Sequence, residues 1–520
     1  MKFAYISGAA LLGLVMGISG CGGGGGGSPA PADDNNDGNG DSNPSTTLSI
    51  SGTITGNDAS VTLALNGTEE TFAGSEFTFT QELDDNSFYA VSFVSIPNDQ
   101  NCVVANGAGV ITADVSNVEV TCSSAITTLK YDDASLLGAF AIGDYNGDGM
   151  SDIAMPIKTT NAHSLGSNND MVRFIYGTGA GGFSGMNDVT ALNSAPGSWQ
   201  DKFITTEINN DGNDDIAYSN DRLQTYIGNN TNSPSNNFSS PENVGSILSF
   251  DMDGDGDSDI VSNIHGLHYP NSFAIYKNNG DGSFGSTEFF NNLSLLLDSD
   301  PTTPSIRNIY KITAADVNGD DKMDIVAIVH DNDFVNPAIY GITTYLGNNS
   351  GGFDNPTTTQ AIDQELWLGE ANPIIRAMDS ADIDRDGDND LVITSSTNYV
   401  QVYLNDGSGT FSEGQKVTGG TVPVDVKAAD INNDSNLDII TANDTTKNVV
   451  VHYGIGDGTF YDDSNPDNTW LDIKLDNDVE LTDLDISDFD GDSYLDIVIG
   501  EASSHTTAAG SIQIIHSPGQ

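Results

Sequence analysis

This sequence encodes an all-β chain: a seven-bladed β-propeller preceded by a small disulfide-linked β-sandwich-like domain. Three observations lead there. A nine-residue acidic loop recurs seven times between Asp144 and Asp496, with starts 44 to 66 residues apart. Each loop runs straight into a short aliphatic strand, and a glycine-rich turn ending in phenylalanine comes later in the repeat. A period of this size built from strands reads as a propeller rather than a solenoid of helices.

Loop one, Asp144-Tyr-Asn146-Gly-Asp148-Gly-Met150-Ser-Asp152, shows the pattern. Oxygens at positions 1, 3, 5 and 9, with the backbone carbonyl of position 7, can wrap a hard cation. Calcium takes six to eight oxygens at flexible geometry and is the natural occupant. The candidate ligands of loop one are therefore Asp144, Asn146, Asp148, Met150 and Asp152. Loop two offers Glu207, Asn209, Asp211, Asn213 and Asp215, and loop three Asp251, Asp253, Asp255, Asp257 and Asp259. Loop four offers Asp316, Asn318, Asp320, Lys322 and Asp324, and loop five Asp382, Asp384, Asp386, Asp388 and Asp390. Loop six has Asp430, Asn432, Asp434, Asn436 and Asp438, and loop seven Asp488, Asp490, Asp492, Tyr494 and Asp496. Up to seven structural calcium ions are expected.

The residues after position 9 decide which calcium loop this is. An EF-hand needs an acid at position 12; here position 12 is Met155, Tyr218, Ser262, Ala327, Ile393, Thr441 and Ile499. Position 10 is always aliphatic: Ile153, Ile216, Ile260, Ile325, Leu391, Ile439 and Ile497. The EF-hand and dockerin readings both fail, and a strand succeeds each loop. The second landmark runs from Ile175 to Phe183, Tyr276 to Phe284, Tyr403 to Phe411 and Tyr453 to Phe460. Its glycines supply the positive φ of tight hairpins, and its phenylalanine is expected to pack between blades.

On these motifs, residues 125–520 resemble the FG-GAP/VCBS repeat family, bacterial relatives of the integrin α-subunit propeller. The resemblance implies four-stranded blades with a calcium loop between the first and second strands of each. Departures are Glu207 at position 1, and Asp321, Ser435 and Ser493 in place of glycine at position 6. Those loops are expected to be weaker or distorted. The seventh repeat stops one strand short, and residues 126–131 alternate like a strand with no other partner. They are expected to complete the last blade and close the ring, leaving only short protected edges.

Residues 1–20 read as a secretion signal: Lys2, an apolar run and small residues. The run is too short for a stable membrane span. Ile18-Ser-Gly-Cys21 resembles a bacterial lipobox, which implies a lipid on Cys21, and Gly22 resembles outer-membrane sorting. An exported, lipid-anchored protein of the outer membrane, facing periplasm or cell surface, is the expectation. Residues 21–47, rich in Gly, Pro, Ser, Asp and Asn, form the lipidated cysteine and a disordered tether.

Residues 48–123 form a different unit with alternating apolar segments, read as a small β domain, and the propeller spans 124–520. Cys102 and Cys122 are an even pair in an exported chain, so a disulfide is the default. Closing a loop of this length contributes about 3 kcal/mol on the chain-entropy view.

The formal charge is −59, from 16 basic and 75 acidic side chains. Seven calcium ions would offset about a quarter of it; the rest is a solvated surface that repels nucleic acid and anionic headgroups. Membrane contact is expected through the lipid alone. No P-loop, Gly-x-Ser-x-Gly elbow or His-Glu-x-x-His motif occurs, so an enzyme is not expected.

Calcium loops joining strands one and two would share a face with the turns joining strands three and four. The opposite face would carry the long connections 158–170, 263–271, 330–338 and 501–510 and the links 184–202, 287–307 and 355–376. Such loops commonly carry recognition. His163, His265, His268, His330 and His505 fall in or beside them and read as solvated, the alternative being a soft metal shared by His265 and His268. Trp199, Trp367 and Trp470 read as packing between blades, the alternative being rings that stack on a sugar. The function expected is a calcium-binding surface lipoprotein, an adhesion or ligand-binding propeller whose partner is a glycan or a surface or matrix protein. The alternatives are a polysaccharide lyase or hydrolase on the same scaffold, or an assembly scaffold.

Overall fold

The computed structural model describes most of residues 47–517. The longer stretches left out are 160–169, 191–202, 229–234, 265–271, 291–306, 332–338, 363–374, 462–470 and 504–509, with shorter ones of up to four residues between. The expected signal and lipidated Cys21, and all of the expected tether but Thr47, lie outside the described residues; Thr47 begins a short strand, Thr47–Leu48. So do Trp199, Trp367, Trp470, His163, His265, His268, His505 and most of the long connections; the side chain of His330 is likewise undescribed. No helix among the described residues is long and apolar enough to cross a membrane. The chain divides into two compact units, residues 1–124 with 518–520, and residues 125–517.

The first unit holds two four-stranded sheets. One runs Glu76–Thr78, Ile50–Thr55, Val115–Ser124, Gln100–Ala105; the other runs Thr68–Phe72, Val61–Leu65, Phe88–Ser95, Ala108–Val110. Alternation along the strands puts one face of each sheet into a shared core. Ile50, Ile54, Val118 and Val120 meet Val61, Leu63, Leu65 and Val91 there. Cys102 and Cys122 are cross-strand neighbours joined by a disulfide.

In the second unit, seven sheets succeed one another among the described residues, the first five-stranded and the other six four-stranded. Their second strands begin at Asp152, Asp215, Asp259, Asp324, Asp390, Asp438 and Asp496, each at position 9 of a loop. These strands are aliphatic on both faces because both faces are covered. Asp259–Ile264, Asp390–Ser395 and Asp438–Asn443 are buried at every residue. Seven apolar clusters lie between sheets, each joining one sheet to its neighbour, and one joins the last to the first. In that closing cluster Ile153, Met155 and Ile157 pack with Val498, Ile512 and Ile514.

The first strands also meet in a cycle, from Ala141–Gly143 through Phe203–Thr206, Val244–Phe250, Arg307–Ala315, Ile375–Ala381 and Pro423–Ala429 to Val479–Ser487, which touches Ala141–Gly143 again. Isolated acids latch three of these junctions. Asp379 accepts the amide of Ala428 (2.9 Å), Asp425 that of Leu484 (3.2 Å), and Asp483 that of Phe140 (3.1 Å). Sheet seven takes its outer strand from Ile126–Tyr131, antiparallel to Gly510–Ile515 with Leu129 opposite Ile512. Sheet one has a divided first strand: Ala134–Leu136 and Ala141–Gly143 both pair with Asp152–Thr159, a break the sequence does not announce.

The phenylalanines closing the hairpins sit between sheets. Phe411 joins the cluster of sheets four and five, and Phe460 that of five and six. Phe284 lies 4.8 Å from Phe238 of sheet two, and Phe183 lies 6.3 Å from Phe489 in loop seven.

Candidate metal centre

All seven loops share one backbone course. Position 6 has a positive φ in each: Gly149, Gly212, Gly256 and Gly387, and equally Asp321 (62°), Ser435 (71°) and Ser493 (72°). Its amide donates to the position 1 carboxylate every time, from Gly149 to Asp144 (2.7 Å) through Ser493 to Asp488 (3.0 Å). The expected distortion is therefore absent. Asp321, Ser435 and Ser493 adopt the left-handed turn themselves, and Glu207 reaches the same amide, that of Gly212, at 2.9 Å. Position 4 is left-handed throughout as well, at Gly147, Asn210, Gly254, Gly319, Arg385, Asn433 and Gly491. That signal was present in the sequence as Gly or Asn in six of the seven loops.

Position 5 accepts the amide of position 7 in every loop: Met150, Asn213, Asp257, Lys322, Asp388, Asn436 and Tyr494 donate to Asp148, Asp211, Asp255, Asp320, Asp386, Asp434 and Asp492. Position 3 accepts the amide of position 5 in six loops, through Asn146, Asn209, Asn318, Asp384, Asn432 and Asp490. These bonds orient the side-chain oxygens, and in loops two, four and six the second oxygen of the position 5 acid accepts as well, from Asn209, Lys322 and Asn432.

Position 9 is a buried clamp. One oxygen accepts the amide of position 2, as Asp438 does from Ile431 (3.1 Å). The other accepts the amide that opens the hairpin between strands three and four, as Asp438 does from Gly454 (2.8 Å). The same pair of bonds is made by Asp152, Asp215, Asp259, Asp324 and Asp390; Asp496 accepts the amide of Phe489 and, in place of a hairpin amide, that of Ser517 just after strand three. A Cβ added to Gly454 would lie 2.1 Å from the carbonyl of Leu437, which explains glycine at this close approach. Burial pushes the carboxyls of Asp152, Asp215 and Asp438 up to about 7, and those of Asp259, Asp324 and Asp390 up to about 6.

Neighbouring loops touch. Asp214 accepts the amide of Asp144 (2.7 Å) and returns its own to the Asp144 carbonyl (2.9 Å). Asn210 donates to Asp257 at 2.6 Å, and Asn405 of sheet five donates to the Val317 carbonyl of loop four at 2.8 Å. A recess of about 360 Å³ lies among loops one and two and the first strand of sheet seven, lined by Asp144, Met150, Asp214, Asp485 and Ser487. It is on the loop-bearing face, not the face where the sequence pointed to recognition.

The donor set fits a hard cation. Three acid oxygens converge within 4.8 Å in loop three (Asp251, Asp253, Asp255), loop five (Asp382, Asp384, Asp390) and loop seven (Asp488, Asp490, Asp492). Oδ1 of Asp382 is buried with no hydrogen-bond partner, an acceptor that a cation would satisfy. The set is carboxylate and amide oxygen, which suits calcium. Loops one, two, four and six, with asparagine at position 3, hold no such trio of acids among the described residues.

Known proteins bear on this geometry. The family model described as FG-GAP-like repeat matches residues 251–327 and 382–441, which contain loops three to six. The described residues are all-β, and those two stretches carry FG-GAP-like repeats. No curated protein matches it. Among solved structures, one of BBS1N in complex with ARL6DN, soaked with mercury, is 10% identical and covers 75% of this chain and 97% of that one, at a TM-score of 0.43. The same complex soaked with lead is 11% identical and covers 74% and 94%, again at 0.43.

Proposed function

We propose that this FG-GAP repeat protein is a calcium-stabilised propeller that serves as an exported, lipid-anchored binding or adhesion module, its partner a glycan or a surface or matrix protein. The observation that supports calcium most directly is the buried, unpartnered Oδ1 of Asp382 beside Asp384 and Asp390 in a loop whose course recurs seven times. Asp382, Asp384 and Asp390 would hold the ion in loop five, and the acids at the corresponding positions would do so elsewhere. Bound calcium supplies positive charge to a carboxylate cluster that otherwise repels itself, and binding becomes folding free energy. The chain's own groups hold the hairpins. Position 9 ties position 2 to the turn between strands three and four, so the metal's role is structural rather than chemical.

Chelation tests the reading. Each occupied site at a hundredfold excess over Kd adds about 2.7 kcal/mol. EGTA should therefore lower Tm by on the order of 10 °C, and replacing Asp255 and Asp259 together by Ala should remove about one calcium per chain in elemental analysis. If chelator changes neither Tm nor metal content, the loops are acidic turns and the reading fails. The binding role is tested on a glycan and matrix-protein array with calcium and with EGTA. A calcium-dependent hit supports adhesion, and a blank array removes it.

A further inference from the structure

Among the described residues, sheet seven alone places a histidine beside its loop, just past the end of its third strand. The residue after the strand-three partner of position 10 is Tyr176, Ile227, Lys277, Leu346, Leu404 or Tyr453 in sheets one to six, and His516 in sheet seven. In sheet three this place sends the Lys277 ammonium to Asp253 at position 3 of its loop, 3.7 Å away. In sheet seven it sends a ring nitrogen to the same place. Nδ1 of His516 lies 3.6 Å from Asp490 Oδ2 and 3.2 Å from Asp496 Oδ2, and His516 and Asp496 are buried. A lysine can only neutralise such a site, whereas an imidazole can ligate.

We propose that loop seven is a mixed nitrogen–oxygen site for a borderline divalent metal such as zinc, held by His516 Nδ1 and the carboxylates of Asp490 and Asp496. The proposal rests on the loops being metal sites at all. Two ligands of a tetrahedral ion with bonds near 2.1 Å stand about 3.4 Å apart, and the two observed separations, 3.2 and 3.6 Å, bracket that value. Imidazole selects zinc, copper and nickel over calcium. The outer partner is in place: Nε2 lies 2.9 Å from Thr127 Oγ1. A ligating histidine donates its other N–H to such a group, which fixes the ring and leaves Nδ1 for the metal. Thr127 belongs to Ile126–Tyr131, the strand that completes sheet seven. A metal here would fasten the point where the ring closes.

The full chain, saturated with calcium, is titrated with cobalt(II), whose visible absorption reports a nitrogen–oxygen donor set. One cobalt per chain, retained against millimolar calcium and displaced by zinc, is expected. His516→Asn should weaken that site by at least roughly 100-fold while calcium content stays the same, and Thr127→Val should weaken it by roughly 10-fold. Thr127→Val decides the matter if His516→Asn fails to fold. Calcium in the loops with no calcium-resistant cobalt, or cobalt uptake indifferent to both substitutions, overturns the proposal. Absence of both metals overturns it together with the calcium reading.

Discussion

Ser435, Ser493 and Asp321 each hold a left-handed backbone that the sequence pattern reserves for glycine. A side chain there costs roughly 1 kcal/mol, and the cost is borne because the amide must still reach the position 1 carboxylate. Ser435→Gly and Ser493→Gly should each raise Tm, by about 1 kcal/mol in stability, without loss of metal, as calorimetry with and without calcium would show. A fall in Tm would mean that the serine hydroxyl holds something the backbone does not. The acids at positions 1, 3, 5 and 9 were legible because their spacing repeats. Asp379, Asp425 and Asp483 were not, since each is a single acid whose partner is an amide on the next sheet. A backbone amide leaves no mark in a sequence.

In sheets one to six each loop works with its hairpin as one device, and position 9 is the joint. The sequence showed that acid as a ligand but not as a clamp, because the amides it accepts come from position 2 and from a turn more than ten residues away in the chain. Gly454→Ala should break one joint: its Cβ meets a fixed carbonyl at 2.1 Å, so Tm should drop, and an unchanged Tm would show that the turn gives way freely. Protonation acts on six of these joints together. The carboxyls of six position 9 acids stand at about 6 to 7 in the folded chain, above an unfolded value of about 3.9. Their folded pKa is raised, so their contribution is complete below about pH 4 and is lost as pH rises through 6 to 7. In EGTA, Tm should therefore be higher at pH 5 than at pH 8, and calcium should restore most at pH 8. A metal-free Tm that climbs between those two values would contradict the burial argument.

Closure of the ring was legible from an imbalance of strands: the seventh repeat ends one short, and Ile126–Tyr131 alternates without a local partner. The structure pairs that segment along all six residues with Gly510–Ile515, and Leu129 packs against the cluster joining the first and last sheets. The divided first strand of sheet one was not legible, because Ala134–Leu136 is too short to carry a period. Most of the ring is held by apolar faces that each sheet shares with its neighbours, so losing one outer strand should not unfold it. It should instead expose the edge of Gly510–Ile515, an aliphatic strand with unpaired backbone groups of the kind that recruits another chain. Two shortened proteins separate these effects. One beginning at residue 125 keeps the closing strand and should melt as the ring does in the full chain. One beginning at residue 132 should melt lower and associate, with a sedimentation coefficient that rises with concentration. If both melt alike and stay monomeric, the closing strand adds nothing that the inter-sheet clusters do not already supply.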